Sequence, residues 1–144
     1  MTSCVVTAEE VNEFLREVGS FVRTNSVVVE SVDVGEVVAR WAYNPEVLRP
    51  GGYISGPTLF SIADLVGWVL CFTTEGITPM AVTWDLHITF LRPAVGGDVI
   101  ARGRQLKRGR NLIYGDVEMF IDGAEDKPVA HATVTYALPQ VPGT

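Results

Sequence analysis

From Leu59 to Phe72 the chain reads Leu-Phe-Ser-Ile-Ala-Asp-Leu-Val-Gly-Trp-Val-Leu-Cys-Phe, almost wholly apolar, with one charged residue, Asp64, in its middle. At helical spacing such a run is greasy on nearly every side, so it must be covered all round by lipid or by protein. It is shorter than the roughly 20 residues a bilayer requires. A carboxylate at its centre would also cost about 2.5–3.5 kcal/mol on insertion scales. The run therefore reads as a buried core helix and not as a membrane span. Pro57 suits its first turn, where a missing amide removes no hydrogen bond, and the pattern continues to about Thr74.

The remaining chain must supply enough strand to wrap this helix. From Ala81 onward the period is two: Val82, Trp84, Leu86, Ile88 and Phe90 alternate with Thr83, Asp85, His87 and Thr89. Three more β-rich runs follow at about residues 98–107, 112–121 and 128–138, divided by Gly109 and by Asp122-Gly123. Upstream, residues 26–43 read as a hairpin turning at Asp33-Val34-Gly35, and Asn44 to Gly56 is a long loop with two prolines and three glycines. Long ordered loops tend to carry function. Thr7-Ala8-Glu9-Glu10 forms a capping box that opens an N-terminal helix, with Gly19 as its stop. The expected architecture is α+β: an antiparallel sheet curved around a long central apolar helix, with an extra helix at the N-terminus.

Composition bounds the function classes. With 144 residues, 47% hydrophobic and 19% charged, intrinsic disorder is ruled out and a single domain over 1–144 is expected. The mean hydropathy of +0.24 leaves some apolar surface to meet a partner subunit. A net charge of −6 has the wrong sign for a general nucleic-acid binder. Cys4 and Cys71 make neither a disulfide framework nor a metal spacing. The first residues lack a basic start followed by an apolar stretch, so a soluble cytoplasmic protein is expected.

Asp64 is the first candidate for chemistry. Burying a carboxylate without partners is expensive, so an acid kept among apolar neighbours is a candidate general base or nucleophile. The alternative is an aspartate on an exposed stripe, or one held by a hydroxyl such as that of Ser61. Gly56 is the second candidate, because its amide stands at a helix N-terminus, where free N–H groups favour negative charge. Such an amide can polarise a carbonyl and hold an oxyanion, although a simple Gly-Pro helix start would look the same. The two are eight residues apart, roughly 12 Å along a helix axis. A base and an oxyanion donor acting on one carbonyl carbon must both lie within about 3 Å of their targets. If both act, Gly56 of one subunit must face Asp64 of another, which demands a dimer.

The chain from about Tyr43 to Pro139 resembles the hotdog-fold acyl-CoA thioesterases of the phenylacetate-pathway (PaaI-like) type. The resemblance rests on Ser55-Gly56-Pro57-Thr58-Leu59-Phe60-Ser61-Ile62-Ala63-Asp64, on Thr83-Trp84-Asp85-Leu86-His87-Ile88-Thr89-Phe90-Leu91-Arg92-Pro93-Ala94 followed by Gly97-Asp98, on Gly109-Arg110, and on Val129-Ala130-His131-Ala132-Thr133-Val134-Thr135-Tyr136. It implies hydrolysis of an acyl-CoA thioester, with no metal or cofactor, at a site shared between subunits that pair into dimers and commonly into homotetramers. Asp64 then matches the catalytic carboxylate, Gly56 the amide that polarises the thioester carbonyl, and Thr83 a hydroxyl position beside the carboxylate. Where the family usually has histidine before that glycine, this chain has Ser55, and Pro57 stands for a second glycine. A side-chain amide often found in the oxyanion hole aligns near Arg49, or with Asn44 if the loop carries an insertion.

Further substrate-binding candidates are Arg92, Arg108 and Arg110, whose guanidinium groups suit CoA phosphates, although solvated surface charge is the plainer reading. Gly67 and Trp68 lie one turn past Asp64 and would limit an acyl pocket, or else pack the core. His87 and His131 fall on polar strand faces with no metal spacing. Two rival readings keep the fold: a hydratase or dehydratase acting on acyl thioesters, which would need a catalytic histidine, and a non-catalytic acyl-CoA-binding module.

Overall fold

The computed structural model describes residues 3–18 and 26–140. Its centre is helix α2 (Gly56–Glu75), with every residue from Leu65 to Thr74 buried. Ser55 caps the N-terminus through its hydroxyl, and Pro57 sits in the first turn. At the far end Gly76 takes a positive φ of 83° and its N–H reaches back to the Phe72 carbonyl, the backbone freedom that glycine alone offers cheaply. At 20 residues the helix is long and apolar enough to cross a bilayer, longer than the apolar run suggested. Its sides are nevertheless taken up by protein, since it contacts all six strands of one sheet.

The sheet comprises β1 (Val27–Asp33), β2 (Glu36–Trp41), β3 (Val82–Phe90), β4 (Val99–Arg108), β5 (Leu112–Ile121) and β6 (Ala130–Ala137). All pairings are antiparallel, in the order β1-β2-β4-β5-β6-β3. β6 shows why the sheet closes on the helix: Ala130, Ala132, Val134 and Tyr136 are buried while their neighbours are partly exposed, the alternation of a strand with one face on a core. Two glycines let the layers touch. A Cβ on Gly103 would collide with Val66 Cγ1, and one on Gly67 would stand 2.8 Å from Val134 Cγ2 and 3.0 Å from Tyr136 Cε1.

Helix α1 (Ala8–Glu17) begins at the Thr7/Glu10 capping box, with both reciprocal bonds formed. Asn12 locks it to the sheet, donating to the Val29 carbonyl and accepting from the Val29 amide, each at 2.8 Å. Phe14 stacks edge-on against Trp68 and Phe72 with ring centroids 5.4 and 5.7 Å apart. The expected stop at Gly19 lies outside the described residues. The loop after β2 contains a short 3-10 turn, Pro45–Val47, and a bridge between Arg49 and Tyr53.

β3 does not keep the strict period of two that its sequence suggests. Its register against β6 shifts between Thr83, opposite Tyr136, and Asp85, opposite Thr135, so Trp84 is the extra residue of a β-bulge. The bulge turns Thr83 onto the inner face with Leu86 and Ile88 and leaves Trp84 68% exposed. β3 is also a sheet edge, and Met80, Val82, Trp84, Phe90 and Leu91 on and beside it are exposed.

Candidate active site

The elements converge on Asp64. Helix α2 carries it on the side facing the β3–β6 pair, where it is half-buried. The Thr83 hydroxyl donates to Asp64 Oδ1 at 2.6 Å. The Tyr136 hydroxyl lies 2.7 Å from the same oxygen and 2.8 Å from the Asp64 main-chain carbonyl. Thr83 and Tyr136 are cross-strand partners, so two neighbouring strands deliver two donors to one carboxylate oxygen. Burial pushes the Tyr136 phenol far above its usual range, and the negative charge of Asp64 adds to that push. The phenol therefore stays protonated and available as a donor. The hollow in front of the carboxylate has a volume of about 410 Å³, with Ser61, Leu65, Trp68, Ala81 and Val82 in its walls. The Trp68 indole is fixed by a bond from Nε1 to the Thr78 carbonyl at 3.3 Å. A carboxylate held in this way can take a proton from water in the hollow.

Gly56 lines a separate hollow of about 580 Å³, together with Arg49, Tyr53, Leu59, Phe90 and Arg92. In the first turn of α2 the Thr58 amide is satisfied by Ser55 Oγ at 3.3 Å, and Pro57 has none. The Leu59 amide reaches the Ser55 carbonyl at 3.1 Å, and among the described residues no acceptor meets the Gly56 N–H, which can therefore receive an incoming oxygen. A Cβ on Gly56 would stand 3.3 Å from Phe90 Cζ, so a larger residue would crowd the mouth of that hollow. The carboxylate and this amide open into different hollows of one chain.

The other sequence candidates divide. Arg49 and Arg92 join Gly56, both exposed, and Trp68 joins Asp64. Ser55 is the helix cap, its hydroxyl 2.9 Å from Thr58 Oγ1. Asn44 caps the 3-10 turn, accepting from the Glu46 amide at 3.0 Å, and is not among the residues lining the Gly56 hollow. Gly67 faces β6 and not the Asp64 hollow, so it is a packing glycine. Arg108 is paired with Glu75 at 2.7 Å and also reaches the Thr74 carbonyl at 3.4 Å, which fastens it to the C-terminus of α2, where a cation offsets the helix dipole. Arg110 lies elsewhere, beside Lys107, Trp84 and Tyr114 on the outer sheet face. Both histidines point outward, and His131 pairs with Asp116 at 3.0 Å. Among the described residues no three His, Cys, Asp or Glu side chains cluster to hold a metal ion.

Periodicity and spacing do not single out Tyr136. The one signal in the sequence is its position at the end of an otherwise apolar strand face, because a buried tyrosine hydroxyl needs a partner.

The chain is similar in sequence and shape to known proteins. The model of the thioesterase superfamily matches residues 51–127, more than half of the chain. A crystal structure of a candidate thioesterase from Silicibacter sp. TM1040 superposes with a TM-score of 0.85 at 33% identity, covering 95% of this chain and 94% of that one. The PaaI protein of the E. coli phenylacetic acid degradation operon shares the fold, with a TM-score of 0.77 at 22% identity over 92% and 94% of the two chains. A Streptococcus mutans protein crystallised with acetyl CoA is similar at a TM-score of 0.67 and 23% identity, over 77% and 86%.

Proposed function

We infer from the chain's membership of the thioesterase superfamily, to which it belongs, that it hydrolyses acyl-CoA thioesters at a site shared by two subunits. The observation that carries this reading is the Asp64 carboxylate, held by Thr83 and Tyr136 at the wall of a hollow that Leu65, Trp68 and Val82 also line. In the reaction, a water oxygen bonds to the thioester carbonyl carbon while Asp64 takes the water proton. Negative charge grows on the carbonyl oxygen, to which the Gly56 N–H of a second subunit donates a hydrogen bond. The tetrahedral intermediate collapses, the C–S bond breaks, and the departing CoA sulfur recovers the proton from Asp64. The products are free CoA thiol and a carboxylic acid, which loses its remaining proton to solvent and leaves as the carboxylate. Direct attack by Asp64, giving an anhydride that water then opens, is the covalent variant.

The spacing supports a second subunit. Eight helical residues separate Gly56 from Asp64, roughly 12 Å, and the two residues line separate hollows. The exposed apolar residues along the unpaired β3 edge suit pairing with the same edge of another copy, and two such dimers would make a homotetramer. The acetyl CoA seen in the Streptococcus mutans relative supports CoA esters as the substrate class. Arg110, Arg92 and Arg49 remain as cations for its phosphates, whereas Arg108 is committed to Glu75. Trp68 and Leu65 would receive the acyl group. With both histidines on the outer face, dehydratase chemistry has no histidine at this site.

The test is a panel of acyl-CoAs from acetyl to decanoyl and phenylacetyl, read by thiol release, with Asp64→Asn alongside. Loss of the base should lower kcat by about 100- to 10,000-fold. Undiminished hydrolysis by Asp64→Asn rejects the role given to Asp64. CoA-ester binding without turnover by the wild-type protein across the panel favours a binding module.

A further inference from the structure

The Asp64 carboxylate is bound unevenly. Oδ1 receives both the Thr83 and the Tyr136 hydroxyls, while among the described residues no donor meets Oδ2. Tyr136 also reaches the main-chain carbonyl of the same residue. The single phenol proton is shared between a side-chain oxygen and the backbone carbonyl of one aspartate, a bridge that restricts the torsion between them.

We propose that Tyr136 is a positioning residue for the hydrolysis: with Thr83 it ties Oδ1 back against the sheet and presents Oδ2 as the oxygen that takes the proton from water. This rests on the reading of Asp64 as the base. Three features of the fold build the arrangement. The bulge at Trp84 turns Thr83 inward, opposite Tyr136. The missing side chain at Gly67 lets the Tyr136 ring lie against α2. Burial of the ring to 5% exposure keeps water from competing for the phenol. A tyrosine that merely satisfied its hydroxyl would need one acceptor, and the helix carbonyl is already there. The second contact, to Oδ1, is what makes the phenol part of the site.

The experiment is a double-mutant cycle on the full-length protein with Tyr136→Phe and Asp64→Asn, using the best acyl-CoA of the panel. Tyr136→Phe keeps the ring and its packing, so thermal unfolding should remain cooperative. It should lower kcat by about 10- to 100-fold, as expected for a lost hydrogen bond to a charged group that aims a base, with KM changed by less than about twofold. In the Asp64→Asn background the same substitution should change the residual rate by less than about twofold, because there is no base left to position. A crystal structure of Tyr136→Phe should show the Asp64 carboxylate rotated or in two orientations. The proposal is overturned if Tyr136→Phe matches wild type, if it raises KM at constant kcat, if it costs the same factor in both backgrounds, or if Asp64 keeps a single unchanged rotamer without the phenol. An active Asp64→Asn protein would instead remove the base itself, a failure visible before Tyr136 is considered.

Discussion

Gly67→Ala tests the packing that brings β6 to the helix. The added methyl would stand 2.8 Å from Val134 Cγ2, 3.0 Å from Val134 Cγ1 and 3.0 Å from Tyr136 Cε1, each well inside the 3.5–4.0 Å optimum for carbon pairs. Neither neighbour can swing aside. Val134 is β-branched, 2% exposed and in a strand paired on both sides, and Tyr136 is anchored by its hydroxyl. Overpacking of this kind costs about 1–3 kcal/mol. Alanine returns about 0.8–1 kcal/mol in helix propensity over glycine. The net is a loss of up to about 2 kcal/mol, or a fall in Tm of up to about 8 °C at roughly 2–4 °C per kcal/mol for a chain near this size. The assay is thermal unfolding followed by circular dichroism, with Gly67→Ala/Val134→Ala as the companion. Relieving the valine contact should leave the Tyr136 contact in force, so hydrolysis should stay below that of Val134→Ala alone. A Gly67→Ala protein with a higher Tm than wild type would refute the reasoning, because propensity would then have outweighed a clash that does not exist.

Other outcomes depend on single groups. The Tyr43 amide donates to Asp98 at 2.7 Å and Arg40 lies at 3.0 Å, which together hold the Asp98 carboxyl below the ordinary carboxylate range. A lowered folded value stabilises the protein above the unfolded value near 3.9 and ceases to do so as pH falls through the folded value. Asp98→Asn should therefore cost about 1 kcal/mol at pH 7, with the difference in Tm from wild type closing below about pH 4. A difference that persists unchanged to pH 2 contradicts this. Burial in α2 pushes the Cys71 thiol up to about 12, so a thiol reagent at pH 8 should label Cys4 in the native protein and reach Cys71 only on unfolding; equal labelling rates would be inconsistent with this core. Trp68→Leu should move the preferred acyl chain toward greater length by opening the Asp64 hollow, measured as a shift in the kcat/KM maximum across the panel. An unchanged maximum would place the acyl group elsewhere.

The core helix is legible in the sequence because nothing else explains a long apolar run with one acid. The strand order of the sheet is not, since alternation marks strands without saying which lie side by side. Thr83 shows the limit best. Strict alternation puts it on the face away from Leu86, yet a one-residue bulge at Trp84 turns it to Asp64, and bulges have no firm sequence signature. Arg108 has the look of a free surface cation because Glu75, its partner, lies 33 residues away in sequence. Ser55 and Asn44 have the chemistry of substrate ligands, and both are caps. Gly67 can be read as a pocket wall or as packing, and only the position of β6 decides between them. Tyr136 is hidden in a strand whose pattern needs nothing beyond an apolar residue there.

A mixing experiment addresses the proposed division of the site between subunits most directly. Asp64→Asn and Gly56→Pro each remove one half of the proposed machinery, the second by deleting the N–H at the first helical position while also adding atoms beside Phe90. Neither homodimer should hydrolyse acyl-CoA. Unfolded together in equal amounts and refolded, half of the dimers are mixed, and each mixed dimer has one site with Asp64 from one chain and Gly56 from the other. Random pairing gives one intact site in four, so about a quarter of wild-type activity should return if both groups are needed from different chains. A mixture as inactive as its parents would contradict a site divided between subunits.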